Sequence, residues 1–456
     1  MATTNPDGAP SPQTRVEVLG NIGPNWFASV MGTGIVATAG ATLPVHAVGL
    51  RAFAQVVWVI AAVLLVVLIV LVGGHWLRHP TVARTHARNP KMAHFYGAAP
   101  MALMTVGAGS VLVGRDLLGE RIAVNLDWVL WTAGTLGGLF TAVSIPFLMF
   151  TQHNVEPDAA FGGWLMPVVP PMVTAATGAL LLPHMSPGTG RETLLYGCYA
   201  MFGLSLLASL NIIAMIWARL TLYGTSGSAR VPTLWIVLGP LGQSITAAGL
   251  LGVSAGLAVD PAVAEDMNAF AILYGVPVWG FAVLWIALAT ALTVRTLRRG
   301  MPFALTWWSL TFPVGTFVTG TSQRAGHTHL PAFRVAAAIA YAGLLFTWLL
   351  VAARTARGSL RGNLLKLPPS TTPAKAGKQP VSCPGVGVQG RRRFDPRGRR
   401  VGNLEPIGGL TMDTSEPPER ETPSERPERL TPTETPERPA PADPSERLTP
   451  SEPSER

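Results

Sequence analysis

The sequence predicts an all-α integral membrane protein with ten transmembrane helices, and its charge pattern supports this fold class. Of 456 residues, 13% are charged and 48% hydrophobic, whereas soluble proteins are usually about 25% charged. Ten uncharged windows are long enough to cross a hydrocarbon core roughly 30 Å thick as helices, which satisfy their own backbone hydrogen bonds in lipid. These predicted spans 1 to 10 are 26–45, 53–72, 95–114, 128–150, 161–183, 194–218, 231–259, 269–294, 301–322 and 335–353.

The odd-numbered spans share a pattern that the even-numbered spans mostly lack. In each odd span a Pro is followed seven to nine residues later by a Gly, with Thr or Ser between or beside them. Gly and Pro weaken helices, but they allow close approach and bends. We therefore predict five quasi-symmetric helical hairpins, with the odd helices lining a central pore and the even helices outside. The repeated segments are PNWFASVMGTG (24–34), PMALMTVGAG (100–109), PPMVTAATG (170–178), PLGQSITAAG (240–249) and PVGTFVTG (313–320).

Lys and Arg are concentrated in the loops that follow the even spans, as in the four basic residues between 78 and 91. By the positive-inside rule, both termini are cytoplasmic and the protein lies in the cell membrane. The short acidic loop 151–160 opposes this orientation. The net charge of +9 is explained by these loops and by a basic stretch near the C-terminus, so no nucleic-acid partner is predicted.

Composition divides the chain into three parts. Residues 1–22 are a flexible polar N-terminus that lacks the basic start and apolar run of a signal peptide. Residues 23–356 form the membrane transport domain. Residues 357–456 are rich in Pro, Glu and Arg, bury too little apolar surface to fold and are predicted to be disordered. The basic patch at 391–400 is a solvated charge run or a contact for anionic lipid headgroups.

The sequence contains no pattern that indicates an enzyme, a metal site or a cofactor. It has no phosphate-binding loop and no His-Glu-x-x-His, and its two cysteines, Cys198 and Cys383, have no metal-ligand spacing. The histidines are scattered, and the predicted spans contain no carboxylate to pair with them. Proton-coupled carriers usually carry an ionisable residue within the membrane, so this absence favours an uncharged path.

Hydroxyl groups and backbone N–H groups near glycines are the predicted lining of that path. They can donate to an anion without holding it as a fixed cation would, and weak binding favours throughput. The alternative for any one hydroxyl is a bond back to its own helix. The predicted pore-lining residues are Gly32, Thr33, Gly34, Thr105, Gly107, Pro171, Thr174, Pro240, Ser244, Pro313 and Thr316.

Span 9, with TWWSLTFPVGTFVTGTSQRAG at 306–326, carries the candidate gate. Phe312 directly precedes Pro313, which removes a backbone donor and is able to direct the preceding side chain inward. An aromatic ring in a narrow pore blocks ions by bulk and by dewetting. A packed or lipid-facing phenylalanine is the alternative.

Residues 23–356 resemble the tellurite-resistance/dicarboxylate transporter family, which includes malate carriers, sulfite efflux pumps and plant slow anion channels. The resemblance implies a homotrimer in which each protomer has its own pore, formed by five inner helices and closed by a phenylalanine on span 9. Phe312 matches that position best, and Phe317 is the second choice. The segments that carry it are NWFASVMGTGI, HFYGAAPMA (94–102), WLMPVVPP (164–171), GPLGQS (239–244) and WWSLTFPVGTF (307–317).

We therefore expect transport of small anions through a central pore gated by Phe312. Sulfite, C4-dicarboxylates such as malate, tellurite and chloride-like anions remain open as substrates, as does the choice between a channel and a proton-coupled carrier. A non-transporting sensor or scaffold that acts through its tail is the alternative. A membrane enzyme is less favoured, because the spans lack catalytic acid–base groups.

Overall fold

The computed structural model describes residues 22–361 except 46, 91, 154 and 226. All regular structure in this range is helical, which confirms the predicted all-α class. The flexible leader and the disordered tail lie outside the described residues, apart from 22 and 357–361. The last described helix continues to Leu360, slightly beyond the predicted end of the membrane domain at 356.

Twelve α-helices are described, and 3₁₀ or π segments extend several of them. The α-helices are α1 (Phe27–Thr42), α2 (Leu50–Arg78), α3 (Pro80–Arg88), α4 (Ala98–Gly109), α5 (Arg115–Leu118), α6 (Glu120–Thr151), α7 (Pro170–Gly178), α8 (Thr189–Tyr223), α9 (Leu238–Ala255), α10 (Pro261–Leu297), α11 (Phe312–Thr328) and α12 (Pro331–Leu360). The 3₁₀ segments are Pro24–Trp26, Ala93–Gly97, Gly162–Leu165, Leu182–His184, Val231–Val237 and Leu305–Leu310, and Ser110–Gly114 is a π turn.

Among the described residues, seven helical segments are long and apolar enough to cross a membrane: α2, Ala93–Leu118, α6, α8, Val231–Ala255, α10 and α12. Helices α1, α7 and α11 contain only 16, 9 and 17 residues. In spans 5 and 9 a 3₁₀ segment occupies the first part of the uncharged window, and Pro lies at the start of α7 and α11, while in span 1 the 3₁₀ segment lies at the edge of the window. These breaks shorten the regular helix, so the predicted count of ten spanning helices is not confirmed.

Helices α1, α4, α7, α9 and α11 pack against one another as a closed ring. Contacts run from α1 to α4, from α4 to α7, from α7 to α9, from α9 to α11 and from α11 back to α1. All nine residues of α7 are buried, and the buried share of the most apolar stretch is 83% for Ala93–Leu118 and 89% for Val231–Ala255. The ring helices therefore form the interior of the protein.

Helices α2, α6, α8, α10 and α12 surround this ring. Each packs mainly against the ring helix that precedes it in the chain, α2 on α1, α6 on α4, α8 on α7, α10 on α9 and α12 on α11, and also contacts a second ring helix. Only 22% to 28% of their most apolar stretches is buried inside the protein. Because their exposed side chains are largely apolar, the outer surface of this layer suits lipid rather than water.

Small residues allow the ring helices to touch. A Cβ atom at Gly242 of α9 would lie 2.5 Å from the backbone nitrogen of Phe317 in α11. Only glycine fits such an approach. Gly242, one of the glycines in the repeated segments, is therefore required for the close packing of α9 and α11.

Candidate functional site

The interior of the ring contains a cavity of about 110 Å³ that we call the threonine-lined cavity. All five ring helices contribute to its wall, mainly through residues in their middle and C-terminal parts. None of the residues that line it is Asp, Glu, Lys, Arg or His. Its polar side chains are Thr38, Thr42, Thr105, Thr177, Gln243, Thr246, Thr319 and Gln323.

A second, smaller cavity lies at the N-terminal ends of the same helices, and we call it the methionine-lined cavity. Its volume is about 20 Å³, which is room for roughly one water molecule. The wall is almost entirely apolar, with Ser309 as a polar exception. Five 3₁₀ segments precede the five ring helices here, one for each helix. The main apolar contributors are Met31, Phe95, Met101, Met166, Val169, Ile236, Leu305 and Trp308.

Phe312 belongs to the walls of both cavities. It is the first residue of α11 and is 2% exposed. Thr311 precedes it, and the Thr311 hydroxyl donates to the carbonyl oxygen of Trp308 at 2.7 Å. Pro313 follows in the first helical turn, where a missing N–H costs nothing. The start of α11 thus places the aromatic ring where the two cavities meet.

Phe317, the second choice for this position, faces a different neighbour. Its ring stacks on the indole of Trp279 in the outer helix α10, with 6.0 Å between centroids and an interplanar angle of 21°. The two phenylalanines are five residues apart on α11 and therefore point in different directions.

Four of the predicted lining hydroxyls are bonded to other parts of the protein. Thr33 accepts from the indole N–H of Trp348 at 3.2 Å, and Thr316 donates to the carbonyl oxygen of Leu238 at 3.0 Å. Thr174 and Ser244 are each bonded to a residue of an outer helix. Thr174 accepts from Thr135 at 3.1 Å, and Ser244 accepts from Tyr274 at 2.8 Å.

None of these four residues lines either of the two cavities. Their place along a transport path stays a prediction. Of the five predicted hydroxyls, Thr105 lines the threonine-lined cavity, and its hydroxyl donates to Met101 O at 2.7 Å. On the other helices the wall is formed by Thr38, Thr177, Thr246 and Thr319. Position along a span predicts how deep a hydroxyl lies in the membrane but not which side of its helix it is on.

The predicted glycines lie where helices pack closely, and the predicted prolines of α7, α9 and α11 lie in the first turns of those helices. A Cβ atom at Gly34 would lie 2.7 Å from the Thr105 side chain, and one at Gly32 would lie 2.7 Å from Trp308. Pro313 lines the methionine-lined cavity. Pro171 and Pro240 are buried in the first turns of α7 and α9.

Two buried ionisable residues were missed by the sequence argument. Asp127 in α6 is 0% exposed, and neither carboxylate oxygen has a hydrogen-bond partner. It lies against Gly107, where a Cβ atom would be 2.5 Å from its Oδ1. Arg324 in α11 is also 0% exposed. Asp127 lies just before span 4, and Arg324 lies two residues after span 9. Windows extended by one helical turn at each end would have included both residues.

A third cavity, of about 430 Å³, is polar and lies beside the beginning of the ring helices. Two arginines line it: Arg219 donates to the carbonyl oxygens of Asp158 and Gly224, and Arg230 lies over the ring of Phe161 at 5.7 Å. His94, which is 1% exposed, also lines it. Glu156 and Asp158 line the same cavity, so its two arginines are balanced by two carboxylates.

Comparison with known proteins gives a consistent result. The family model described as voltage-dependent anion channel matches residues 21–356. An uncharacterised transporter of Methanocaldococcus jannaschii is 26% identical, over 68% of this chain and 85% of its own length. A sulfite efflux pump of Trichophyton rubrum is 25% identical over 76% and 93%, and a malic acid transport protein of Schizosaccharomyces pombe is 20% identical over 72% and 76%.

These matches confirm the resemblance drawn from the sequence motifs. The family and the names of the relatives indicate transporters or channels rather than enzymes. Together with the apolar helices, they identify a multi-pass membrane protein.

Proposed function

The chain belongs to the voltage-dependent anion channel family, and on this premise we propose that it transports small anions along the axis of the ring, through a path closed at Phe312. The observation that carries the proposal is the position of Phe312 in the walls of both cavities. A ring at this place blocks the path by bulk and by dewetting, and its movement would join the two cavities.

The chemistry of the threonine-lined cavity suits an anion that binds weakly. Hydroxyl and amide groups such as those of Thr105, Thr319 and Gln243 are able to donate hydrogen bonds. The wall contains no fixed charge, so an anion leaves as readily as it enters.

The wider arrangement is part of the same proposal. We place ten crossings in the membrane as five quasi-symmetric hairpins, with α1, α7 and α11 completed by their 3₁₀ segments. The transport domain extends over 23–356, both termini are cytoplasmic, and the protein is a homotrimer in the cell membrane. The matching pairs of one ring helix and one outer helix support the hairpins.

Sulfite and a C4-dicarboxylate such as malate are the proposed substrates, because relatives are named for them. Uptake of labelled sulfite and labelled malate into proteoliposomes tests the proposal, with protein-free liposomes as the control. We expect saturable uptake of at least one anion. Rates equal to those of the control for both anions, with the protein folded in the bilayer, would contradict the proposal.

The same assay separates a channel from a coupled carrier. Uptake that follows only the gradient of the anion indicates a channel. Uptake that is driven uphill by an imposed proton gradient indicates a carrier.

A further inference from the structure

Arg324 is a buried cation whose charge is uncompensated. It lies in α11, is 0% exposed, and is among the largest fully buried side chains. Its Nη1 donates to the carbonyl oxygen of Ala271 in α10, while Nε and Nη2 have no partner. Gly275 of α10 provides the space, because a Cβ atom there would lie 2.6 Å from the guanidinium carbon.

Among the described residues, no carboxylate forms an ion pair with Arg324. Glu265 and Asp266, the acids on the helix that faces it, are exposed near the start of α10. Guanidinium groups remain charged in proteins, and an unpaired buried charge is costly. A neutral side chain of similar volume would fill the same space at a lower desolvation cost. The retained charge therefore indicates that Arg324 has a function beyond filling space.

The position of Arg324 relates it to the proposed transport path. The preceding residue, Gln323, lines the threonine-lined cavity, as does Thr319 one turn earlier. Arg324 is rotated about 100° from Gln323 around the helix, so its guanidinium lies behind the wall rather than in it. There it adds positive potential to the cavity without offering the anion a direct ion pair.

We propose that Arg324 is a specificity-determining residue that makes the threonine-lined cavity selective for anions. This inference rests on the proposed function. A unit charge about 10 Å from an anion, at an effective dielectric constant of about 20, changes its affinity by roughly tenfold. Because the guanidinium does not touch the anion, it produces selectivity without tight binding.

A purely structural role, in which Arg324 only ties α11 to α10, makes a different prediction. The comparison uses Arg324→Lys, which keeps the charge, and Arg324→Met, which keeps much of the volume but is neutral. Arg334→Met, at an exposed arginine near the start of α12, is the matched control. The readout is the anion-to-cation permeability ratio from reversal potentials in planar bilayers, together with the anion concentration at half-maximal flux.

We expect Arg324→Met to lower the permeability ratio and raise the half-maximal concentration, each by about tenfold. Arg324→Lys should remain within about twofold of the parent protein, and Arg334→Met should be unchanged. A parent-like ratio in Arg324→Met would overturn the proposal, as would an equal loss in the Lys and Met variants.

A second neutral variant covers the case in which Arg324→Met does not fold. Arg324→Gln removes the charge but keeps an N–H donor for the carbonyl oxygen of Ala271. We expect the same loss of selectivity, and an unchanged ratio in this variant would overturn the proposal. Absence of anion flux in the parent protein would instead contradict the proposed function itself, and this inference with it.

Discussion

The two cavities that share Phe312 are built by the same five helices, yet their walls differ in chemistry. The methionine-lined cavity collects apolar side chains from the N-terminal ends of the ring helices, and the threonine-lined cavity collects hydroxyls and amides from the parts that follow. Each ring helix therefore changes from apolar to polar lining along its length. In the proposed mechanism the apolar end closes the path by bulk, and the polar end offers weak hydrogen-bond donors to the anion.

The largest expected effect comes from placing a fixed negative charge in the polar cavity. Gln243 lines the threonine-lined cavity and is 5% exposed. Gln243→Glu should reduce anion flux on the order of a hundredfold, because a like charge roughly 5 Å from the anion is strongly repulsive at an effective dielectric constant of about 20. The reduction is measured as the rate of anion flux into proteoliposomes. Gln152→Glu, at an exposed residue, should leave flux unchanged, and equal effects of the two variants would show that the cavity is not on the path.

An intermediate effect is expected at the contact between the ring and the outer layer. Gly107→Ala puts a methyl group against Asp127 and should destabilise the protein by about 1–3 kcal/mol through overpacking. Gly73→Ala, in open space within α2, should raise stability by up to about 1 kcal/mol, the helix propensity gained when Ala replaces Gly. Thermal unfolding in detergent gives both values.

The double variant Gly107→Ala with Asp127→Ala refines this measurement. Removing the carboxylate should restore part of the lost stability, since contacting residues are not additive. Strict additivity would mean that Gly107 and Asp127 do not touch.

The smallest effects are expected for single hydroxyls. Thr319→Val, in the cavity wall, should reduce anion flux about two- to tenfold, the value of one hydrogen bond. Thr316→Val removes a hydroxyl that bonds to Leu238 O and should leave flux unchanged while lowering stability by about 1 kcal/mol. Parallel flux and unfolding assays separate the two effects. The opposite pattern would return Thr316 to the lining and remove Thr319 from it.

The sequence was informative about which helices are inside. Uncharged windows and the Pro/Gly repeat identify α1, α4, α7, α9 and α11, and the burial of these helices agrees with their assignment to the interior. The Pro/Gly repeat can be recognised in the sequence because close contacts between helices require small residues, whatever side chains surround them.

The sequence was less informative about which side of each helix faces the cavity. A step of one residue turns a helix by about 100°, and the 3₁₀ segments before each ring helix change that rotation. Thr105 lines the threonine-lined cavity, whereas the hydroxyls of Thr33 and Ser244 accept hydrogen bonds from outer helices. Asp127 and Arg324 were missed because the windows ended at the first charge, although the helices continue past it.

The most direct test of the central claim compares Phe312→Ala with Phe317→Ala in a sulfite and malate flux assay at matched expression. Both residues are buried phenylalanines of α11, at 2% and 5% exposure, but only Phe312 belongs to the walls of both cavities. Opening the path at Phe312 should raise flux by more than about tenfold, a change of about 1.4 kcal/mol in the barrier, while Phe317→Ala stays within about twofold. Unchanged or lower flux in Phe312→Ala, with the protein folded, would contradict the account.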